Sequence, residues 1–395
     1  MEKYIKLAQK SFNKGNRLFY KGIATIKILF FFPLIVSSLK KASGFKKNTR
    51  AILADMLKYV WRYRAWVDAY CDAREFIESY FATRLYLNGR HADDYSTLNE
   101  TMQAFFYSSV PAIKKLQELE NKETCYAFLQ KKGFPHPRRL GYLICDGAQV
   151  LWKTPENKLF PWQEIFKKYS RVFVKPADGC QGKDCFMLQI KQEENEFLIN
   201  NTPVDDELLR RHVTKELLIE EIVENHPVVA SLHPHSLNTV RMITVRKQNG
   251  DYDILGSALR VGVAQSNVDN FKHGGIGILI KENGNLSTTG ITRDYTKSPI
   301  SKHPDTLISF DSIQLPYWKE CTELVLAMHR MAGRISCVGW DIAITPTGPV
   351  CIEANPFCEF GIFIGNGVPL RKILETDYIS KARRNVKNIS NLTSN

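Results

Sequence analysis

Residues 337–357 read CVGWDIAITPTGPVCIEANPF, and much of the fold can be worked out from this stretch. Two apolar, β-rich runs flank the turn signal Pro-Thr-Gly at residues 346–348, which predicts a β-hairpin. Asp341 and Glu353 each lie six residues from the middle of this turn, so we expect them to face each other or to lie one register apart. Asn355 shares the face of Glu353 because side chains alternate along a strand.

These three polar side chains project from an otherwise apolar hairpin. Two like charges opposed across a pair of strands repel each other unless a cation lies between them. Carboxylate and amide oxygens are hard ligands that suit Mg²⁺ or Mn²⁺, which bridge to substrate phosphates. Asp341, Glu353 and Asn355 are therefore candidate metal ligands, and a solvent-exposed acidic hairpin is the alternative.

A second motif, RVFVKPADGCQGKDCFML at residues 171–188, reads as strand, glycine loop and strand. It lacks the GxxxxGK[ST] sequence that opens a helix in a Walker P-loop, so that class of nucleotide site is excluded. A glycine hairpin can still fold over phosphates through backbone N–H groups and lysine charge, using Lys175, Gly179, Gly182 and Lys183. A plain β-hairpin with surface lysines is the alternative.

Two further strands carry charged residues among apolar ones. HSLNTVRMITVR places Asn238 at the head of a strand and Arg241 inside it. An arginine in such a strand usually pairs with a carboxylate or a phosphate. LLIEEIVE ends an apolar strand with Glu220 and Glu221, and backbone groups at such a strand end are candidates for reading an adenine edge.

The net charge is concentrated at one end of the chain. The 395 residues carry a surplus of +13, and residues 1–64, with fifteen basic and two acidic side chains, account for all of it. The remainder has equal numbers of basic and acidic side chains, which excludes a surface that binds a polyanion along the whole body. No nucleic-acid partner is therefore expected.

The basic segment also holds the longest apolar run, ILFFFPLIV at residues 28–36. Nine residues with Pro33 among them are too few to span a bilayer as a helix, which takes about 20. Flanking lysines suit an anionic membrane surface, whereas packing of the phenylalanines on the main body is the alternative. Nine cysteines without a CxxC pair favour a reducing compartment. The expected location is the cytoplasm, peripheral on the inner leaflet if the segment binds lipid.

Hydrophobic periodicity divides the chain into two parts. Apolar residues at three- and four-residue spacing predict helices from about residue 50 to 120. After Lys122, short β-rich runs alternate with helical stretches such as WKECTELVLAMHRMAG. The pattern predicts an α+β fold fronted by a helical region and followed by a polar tail over residues 381–395.

The order of these motifs resembles that of the ATP-grasp superfamily over about residues 120–375. The segments LHPHSLNTVRMITV, RVGVAQSNVDNF and GWDIAITPTGPVCIEANPF look most like the sugar-transfer-associated ATP-grasp proteins of bacterial polysaccharide gene clusters. The resemblance implies an ATP-grasp fold, in which two α/β subdomains clasp ATP. The implied division is a helical region over 1–115, a pre-grasp subdomain over 116–170, a lid with the glycine loop over 171–223, and a C-terminal subdomain over 224–380.

The resemblance also implies a role for each matching residue. The residues that match the nucleotide site are Lys122, Lys175, Gly179, Gly182 and Lys183 at the phosphates, and Glu220, Glu221, Ile222 and Val223 at the adenine hinge. Arg241 and Lys175 match catalytic residues at the transferred phosphoryl group. The matching metal ligands are Asp341, Glu353 and Asn355. The candidate substrate-binding residues are Asn238, Asp269, Asn270 and His273.

The implied activity is that of an ATP-dependent carboxylate ligase with Mg²⁺ or Mn²⁺ as cofactor. Its substrates would be a small-molecule or glycan-linked carboxylate and an amine or other nucleophile, joined through an acyl-phosphate in polysaccharide or glycan modification. Two alternatives stay open. One is a kinase that phosphorylates a sugar or lipid-linked hydroxyl, and the other is a non-catalytic scaffold that binds nucleotide or membrane.

Overall fold

The computed structural model describes residues 17–44, 46–63, 72–147, 149–176, 185–191, 193, 196–264, 266, 269, 271 and 274–379. The first part is helical, as the periodicity predicts. Its helices are α1 (Arg17–Phe30), α2 (Phe32–Lys41), α3 (Thr49–Trp61), α4 (Ala73–Ala82), α5 (Leu98–Ser109), α6 (Ile113–Glu120) and α7 (Lys122–Lys132). Helix α7 begins at Lys122 because the Asn121 side chain accepts hydrogen bonds from the backbone N–H groups of Glu123 and Thr124. The helix ends at Gly133, where φ is 69°.

The first sheet has eight strands. They are β1 (Arg139–Asp146), β2 (Gln149–Lys153), β3 (Leu159–Pro161), β4 (Arg171–Pro176), β5 (Phe186–Lys191), β6 (Glu196–Ile199), β7 (Thr202–Pro203) and β8 (Leu217–Glu221). Their order is β3-β2-β1-β8-β4-β5-β6-β7, and every neighbouring pair is antiparallel. Helix α8 (Asp206–His212) precedes β8. The sheet draws strands from both sides of the predicted boundary at residues 170 and 171, and the division into subdomains stays a prediction.

The second sheet has six antiparallel strands in the order β12-β11-β10-β9-β13-β14. They are β9 (Thr239–Arg246), β10 (Tyr252–Val261), β11 (Ile276–Ile280), β12 (Leu286–Ile291), β13 (Cys337–Thr345) and β14 (Gly348–Asn355). The accompanying helices are α9 (Pro227–Ala230), α10 (Trp318–Ala332), α11 (Gly361–Gly365) and α12 (Arg371–Ile373), followed by a π-helical turn over Leu374–Ile379. Strands β9, β13 and β14 match β-rich runs read from the sequence.

Both faces of the second sheet are buried. One hydrophobic core joins this sheet to α6, α7 and α10 and contains Val240 and Val325. The other joins the opposite face to the N-terminal helices, with Ile28 and Phe81 in the same cluster as Ile243. A third core lies under the first sheet. The N-terminal helices are therefore a structural layer of the protein, because their apolar faces and the sheet exclude water together.

Arginine side chains fasten this helical layer to the rest of the chain. Arg84 Nη2 donates to the backbone oxygen of Lys297 at 2.8 Å, and Arg90 Nη1 donates to the backbone oxygen of Ile364 at 2.9 Å. From the opposite direction, Arg371 Nε donates to a backbone oxygen of the helical layer, that of Ala92, at 3.0 Å. Each guanidinium satisfies carbonyl groups that would otherwise be buried without partners.

Within the described ranges, no single helix is long and apolar enough to cross a membrane. Leu18–Phe30 and Phe32–Lys41 pass the length and composition test only when taken as a pair, and a bend of 54° separates them.

Candidate active site

The β13–β14 hairpin places the two predicted metal-binding carboxylates directly opposite each other. Thr345 pairs with Gly348 around a two-residue turn, so the expected centre at Thr347 was wrong by half a residue. Regular pairing from this turn would set Asp341 against Ile352. Instead, a β-bulge at Ile352 means that this residue has no opposite residue on β13, and Asp341 pairs with Glu353.

Asp341 is buried and is bound by two arginines. Arg241, its cross-strand partner on β9, donates from Nε to Oδ1 at 2.5 Å and from Nη2 to Oδ2 at 3.0 Å. Arg260 on β10 places Nη2 3.0 Å from Oδ2. Asn355 Nδ2 donates to Asp341 Oδ2 at 3.2 Å and to Glu353 Oε1 at 3.1 Å. The predicted grouping of these residues is therefore a contact network in the fold.

The two carboxyl groups have opposite pKa shifts. Burial alone would raise the pKa of Asp341, but the charges of Arg241 and Arg260 outweigh it and hold that pKa well below its usual range. Burial and the neighbouring Asp341 charge raise the pKa of Glu353, whose carboxyl is hydrogen-bonded to Asp341. The two arginines therefore compensate the charge of Asp341, whereas the charge of Glu353 is opposed by burial and by Asp341.

Arg260 and its partners are the part of the site that sequence reasoning missed. Arg260 Nη2 donates to Thr239 Oγ1 at 2.5 Å, and its Nε lies 3.5 Å from Asp269 Oδ2. The same Asp269 oxygen accepts from Thr239 N at 2.8 Å. A signal was present, because Arg260 lies inside the apolar run ALRVGV just as Arg241 lies inside TVRMITV. Asp269, a predicted substrate residue, thus orients Arg260.

The first sheet contributes a buried ion pair. Lys175 at the end of β4 places Nζ 2.6 Å from Glu220 Oε2 on β8, and both side chains are nearly inaccessible to water. The strands bring them together because Phe173, two residues before Lys175, pairs with Glu220. The side chain of Glu220 therefore faces the predicted phosphate lysine, while Glu221 pairs with Arg138 on the outside.

Lys122 connects the contributions of the two sheets. Its Nζ donates to the backbone oxygen of Pro176, at the end of β4, at 3.2 Å. Burial lowers the pKa of Lys122; the charge of Glu353 opposes this shift, and the charge of Lys175 adds to it. Coulomb effects of this kind require short separations. Lys122 is therefore near Glu353 of the second sheet as well as the Lys175–Glu220 pair of the first.

Residues 101–376 match the family model described as sugar-transfer associated ATP-grasp. The chain belongs to this family. Its fold is accordingly the ATP-grasp fold, with mixed helices and sheets behind an N-terminal helical region, as the sequence predicts. No curated protein matches the chain by sequence.

Solved structures of ATP-grasp enzymes resemble the chain at low identity. N5-carboxyaminoimidazole ribonucleotide synthetase from Thermotoga maritima is 13% identical with a TM-score of 0.33, and the match covers 62% of this chain and 43% of that chain. D-alanine-D-alanine ligase from Coxiella burnetii is 11% identical with a TM-score of 0.36, and the match covers 70% of this chain and 62% of that chain. L-amino acid ligase from Bacillus licheniformis is 12% identical with a TM-score of 0.36, and the match covers 69% of this chain and 51% of that chain. More than a third of each related chain is unmatched.

The oxygen groups of the hairpin fit a divalent cation of the kind ATP-grasp proteins use. Two carboxyl groups directly opposed, one with a raised pKa, are the arrangement that a cation between them would stabilise. Asn355 faces both with its amide, and a half-turn of that amide presents its oxygen. Among the described residues no three His, Cys, Asp or Glu side chains form a metal cluster, so the ligand set of Asp341, Glu353 and Asn355 stays a prediction.

Asn238 is enclosed in a hydrogen-bond network. Its Nδ2 donates to the backbone oxygen of His233 at 2.8 Å, and its Oδ1 accepts from Ser236 Oγ at 3.0 Å and from Gly262 N at 3.2 Å. This network fixes the start of the loop that carries Asp269. Direct contact of Asn238 with a substrate stays a prediction.

Of the remaining predicted residues, some follow strand β8 and others lie outside the described ranges. Ile222 and Val223 follow β8 and are half-buried. Glu224, next in the chain, is paired with Arg171 on the surface. The predicted residues that lie outside the described ranges are Gly179, Gly182, Lys183, Asn270 and His273.

Proposed function

We propose that this protein is an ATP- and Mg²⁺-dependent ligase that joins a carboxylate to an amine or another nucleophile through an acyl-phosphate. The observation that carries the proposal is the convergence at Lys122. Lys122 is close enough to Glu353 and to Lys175 for both charges to act on it. Asp341 faces Glu353 across the hairpin and is bound to Arg241. Cationic side chains can bind the phosphates of a nucleoside triphosphate, and neighbouring carboxylate oxygens can bind its metal ion.

The chemistry needs no nucleophile from the protein. A substrate carboxylate oxygen forms a bond to the γ-phosphorus of ATP while the bond to the β,γ-bridging oxygen breaks and ADP leaves. The amine nitrogen then attacks the acyl carbon, the carbon–oxygen bond to phosphate breaks, and the amine loses a proton. The protein contributes in-line positioning and charge neutralisation by Arg241 and Lys175.

Asp341, Glu353 and Asn355 are the residues that would hold Mg²⁺. Bound there, the cation would neutralise charge on the nucleotide phosphates. The carboxylate of Asp341 also binds the guanidinium groups of both Arg241 and Arg260. Because both arginines are fixed in advance, little reorganisation is needed when the phosphoryl charge develops.

The family description supports a glycan context, and we extend the proposal to it. The carboxylate or the nucleophile would be carried on a sugar or a glycan precursor. We place the activity in the cytoplasm, peripheral on the inner leaflet, because residues 1–64 hold the whole net charge of the chain.

A trapping assay tests the ligase directly. The full-length protein is incubated with MgATP, hydroxylamine as a general nucleophile, and a panel of sugar acids and amino acids labelled with ¹⁸O in the carboxylate. Ligation predicts ADP and free phosphate only with the right acid, a hydroxamate product, and one ¹⁸O atom in the phosphate. A kinase would leave phosphate on its product and release none.

Two outcomes would contradict the ligase. Phosphorylated acceptor without free phosphate would replace ligation by phosphoryl transfer to a hydroxyl. Nucleotide binding without ADP formation, across the panel with both carboxylates and hydroxyl acceptors, would favour the scaffold alternative. Glu353→Gln serves as the inactive control, because it removes a metal-binding oxygen and keeps the size of the side chain.

A further inference from the structure

Helix α1 is apolar on two sides. Its inner side carries Ala24 and Ile28, both without exposed surface, in the core shared with the second sheet. Its outer side carries Leu18, Ile26 and Phe30, which are 74%, 66% and 78% exposed. A surface helix of a soluble protein normally presents polar residues outward, so this outer side calls for a partner.

The exposed apolar side chains form one stripe. Leu18 and Phe19 lie about two helical turns before Ile26, and Leu29 and Phe30 lie three and four residues after it, so they share one side of α1. Phe32 continues the stripe into α2. We call them the outer face, and its members are Leu18, Phe19, Ile26, Leu29, Phe30 and Phe32. Trp61 of α3 is half-exposed beside this stripe, and its indole nitrogen donates to Thr25 Oγ1 at 3.0 Å. Tryptophan in such a position is typical of membrane interfaces.

The charged residues on the two helices that carry the outer face have one sign. No acidic residue occurs between Glu2 and Asp55, whereas Lys27, Lys40 and Lys41 are on the same two helices. Lys40 and Lys41 are exposed at the end of α2. A second copy of the chain would bring an equally basic surface against this one, and like charges would repel. The complementary occupant is an anionic surface that also accepts apolar side chains.

We infer that the outer face lies in the interfacial region of an anionic lipid bilayer, with α1 and α2 on the membrane and not across it. Crossing would require the inner side to leave the protein core, where Ile28 and Ile35 are fully buried. The bend of 54° between the helices matches two segments lying along a surface. The inference deepens the proposed location and does not depend on the ligase chemistry.

The test uses full-length protein and sedimentation with vesicles of phosphatidylcholine alone or mixed with phosphatidylserine. The variant Phe19→Ser/Phe30→Ser removes two aromatic anchors. It should weaken binding to the anionic vesicles by at least roughly tenfold, since affinity scales with the apolar area buried. The matched control is Leu307→Ser, which removes a leucine that is 69% exposed on another part of the chain and should bind like the wild type.

A second variant keeps the test decisive if the first one folds poorly. Lys40→Glu/Lys41→Glu leaves the apolar stripe intact and should also weaken binding roughly tenfold, because each basic residue contributes to attraction by anionic lipid. Thermal melting of each variant checks the fold, and ADP release checks the active site separately. Alkaline extraction should release the wild-type protein from the vesicles.

Four results would overturn the inference. They are absence of wild-type binding, equal binding to neutral and anionic vesicles, unchanged binding by both variants, and resistance to alkaline extraction. Resistance to extraction would instead favour insertion of the helix pair. Self-association that is lost in Phe19→Ser/Phe30→Ser without any vesicle binding would assign the outer face to a second copy.

Discussion

The carboxyl groups of Asp341 and Glu353 face each other across the β13–β14 hairpin because Ile352 bulges out of the pairing. The bulge corrects for a turn that would otherwise set Asp341 against an isoleucine. Bulges often re-aim side chains next to active sites. Here the re-aimed side chain is Glu353, and the pairing sets its carboxyl group opposite that of Asp341.

Removal of either carboxylate should affect stability differently when no metal is present. Asp341→Asn leaves the buried Arg241 without its anion, removes one partner of Arg260, and should lower the free energy of unfolding by about 3 kcal/mol. Glu353→Gln should change it by less than about 1 kcal/mol, because the Gln amide oxygen can keep the hydrogen bond from Asn355 Nδ2. Urea denaturation in a chelator measures both. Equal losses in the two variants would contradict this electrostatic assignment.

Glu353→Gln should nevertheless abolish turnover. The loss of one ligand oxygen charge should reduce kcat for ADP formation by at least about 100-fold. The control is Glu320→Gln on the exposed side of α10, which should keep full activity. Substantial turnover in Glu353→Gln would remove the hairpin from the catalytic site.

Arg260 should matter through its planar fork as well as its charge. Arg260→Lys keeps one positive charge but cannot contact Thr239, Asp269 and Asp341 together, and kcat should fall about tenfold. Steady-state kinetics against ATP measure the effect. Arg330→Lys, at an exposed position on α10, is the control. An unchanged kcat for Arg260→Lys would leave this arginine with a structural role only.

Gly339 should tolerate no side chain. A Cβ at this position would lie 2.5 Å from Cys358 Cβ and 3.4 Å from Arg241 Cδ. Gly339→Ala should therefore cost about 2 kcal/mol of stability and disturb Arg241, with a parallel loss of turnover. Gly22→Ala, where nothing lies within 4 Å, should instead stabilise α1 by about 0.5–1 kcal/mol. Thermal melting and ADP release distinguish the two.

His329 should make stability depend on pH. Burial lowers the pKa of His329 to about 4 from 6.5, and its Nε2 is 3.0 Å from the backbone oxygen of Ile335. The unfolded chain binds a proton below about pH 6.5 that the folded chain resists, so this stabilisation is complete above pH 6.5 and is lost as pH falls. Between about pH 7.5 and about pH 5 the loss from this residue should be about 2 kcal/mol.

The variant His329→Gln isolates this contribution. It should flatten the dependence of the free energy of unfolding on pH over that window by about 2 kcal/mol relative to the wild type. His235→Gln, at an exposed histidine, should leave the dependence unchanged. Identical pH profiles for the wild type and His329→Gln would show that His329 does not titrate as expected.

The sequence by itself determined the local elements and the chemical types of the site. Alternating apolar residues specify strands such as TVRMITVR, and polar residues among them mark Arg241, Asp341 and Glu353, because a side chain's face follows from its position along a strand. Clustering of the positive charge in residues 1–64 is likewise a property of the chain alone.

Only the tertiary structure decided which of these groups meet. The bulge at Ile352, the reach of Arg260 to Asp341 and the proximity of Lys122 to both sheets depend on register and packing between distant strands. Likewise, only packing separates the inner side of α1, which is buried against the second sheet, from its outer face. Residue spacing sets local geometry, whereas long-range contacts are set by which apolar faces exclude water together.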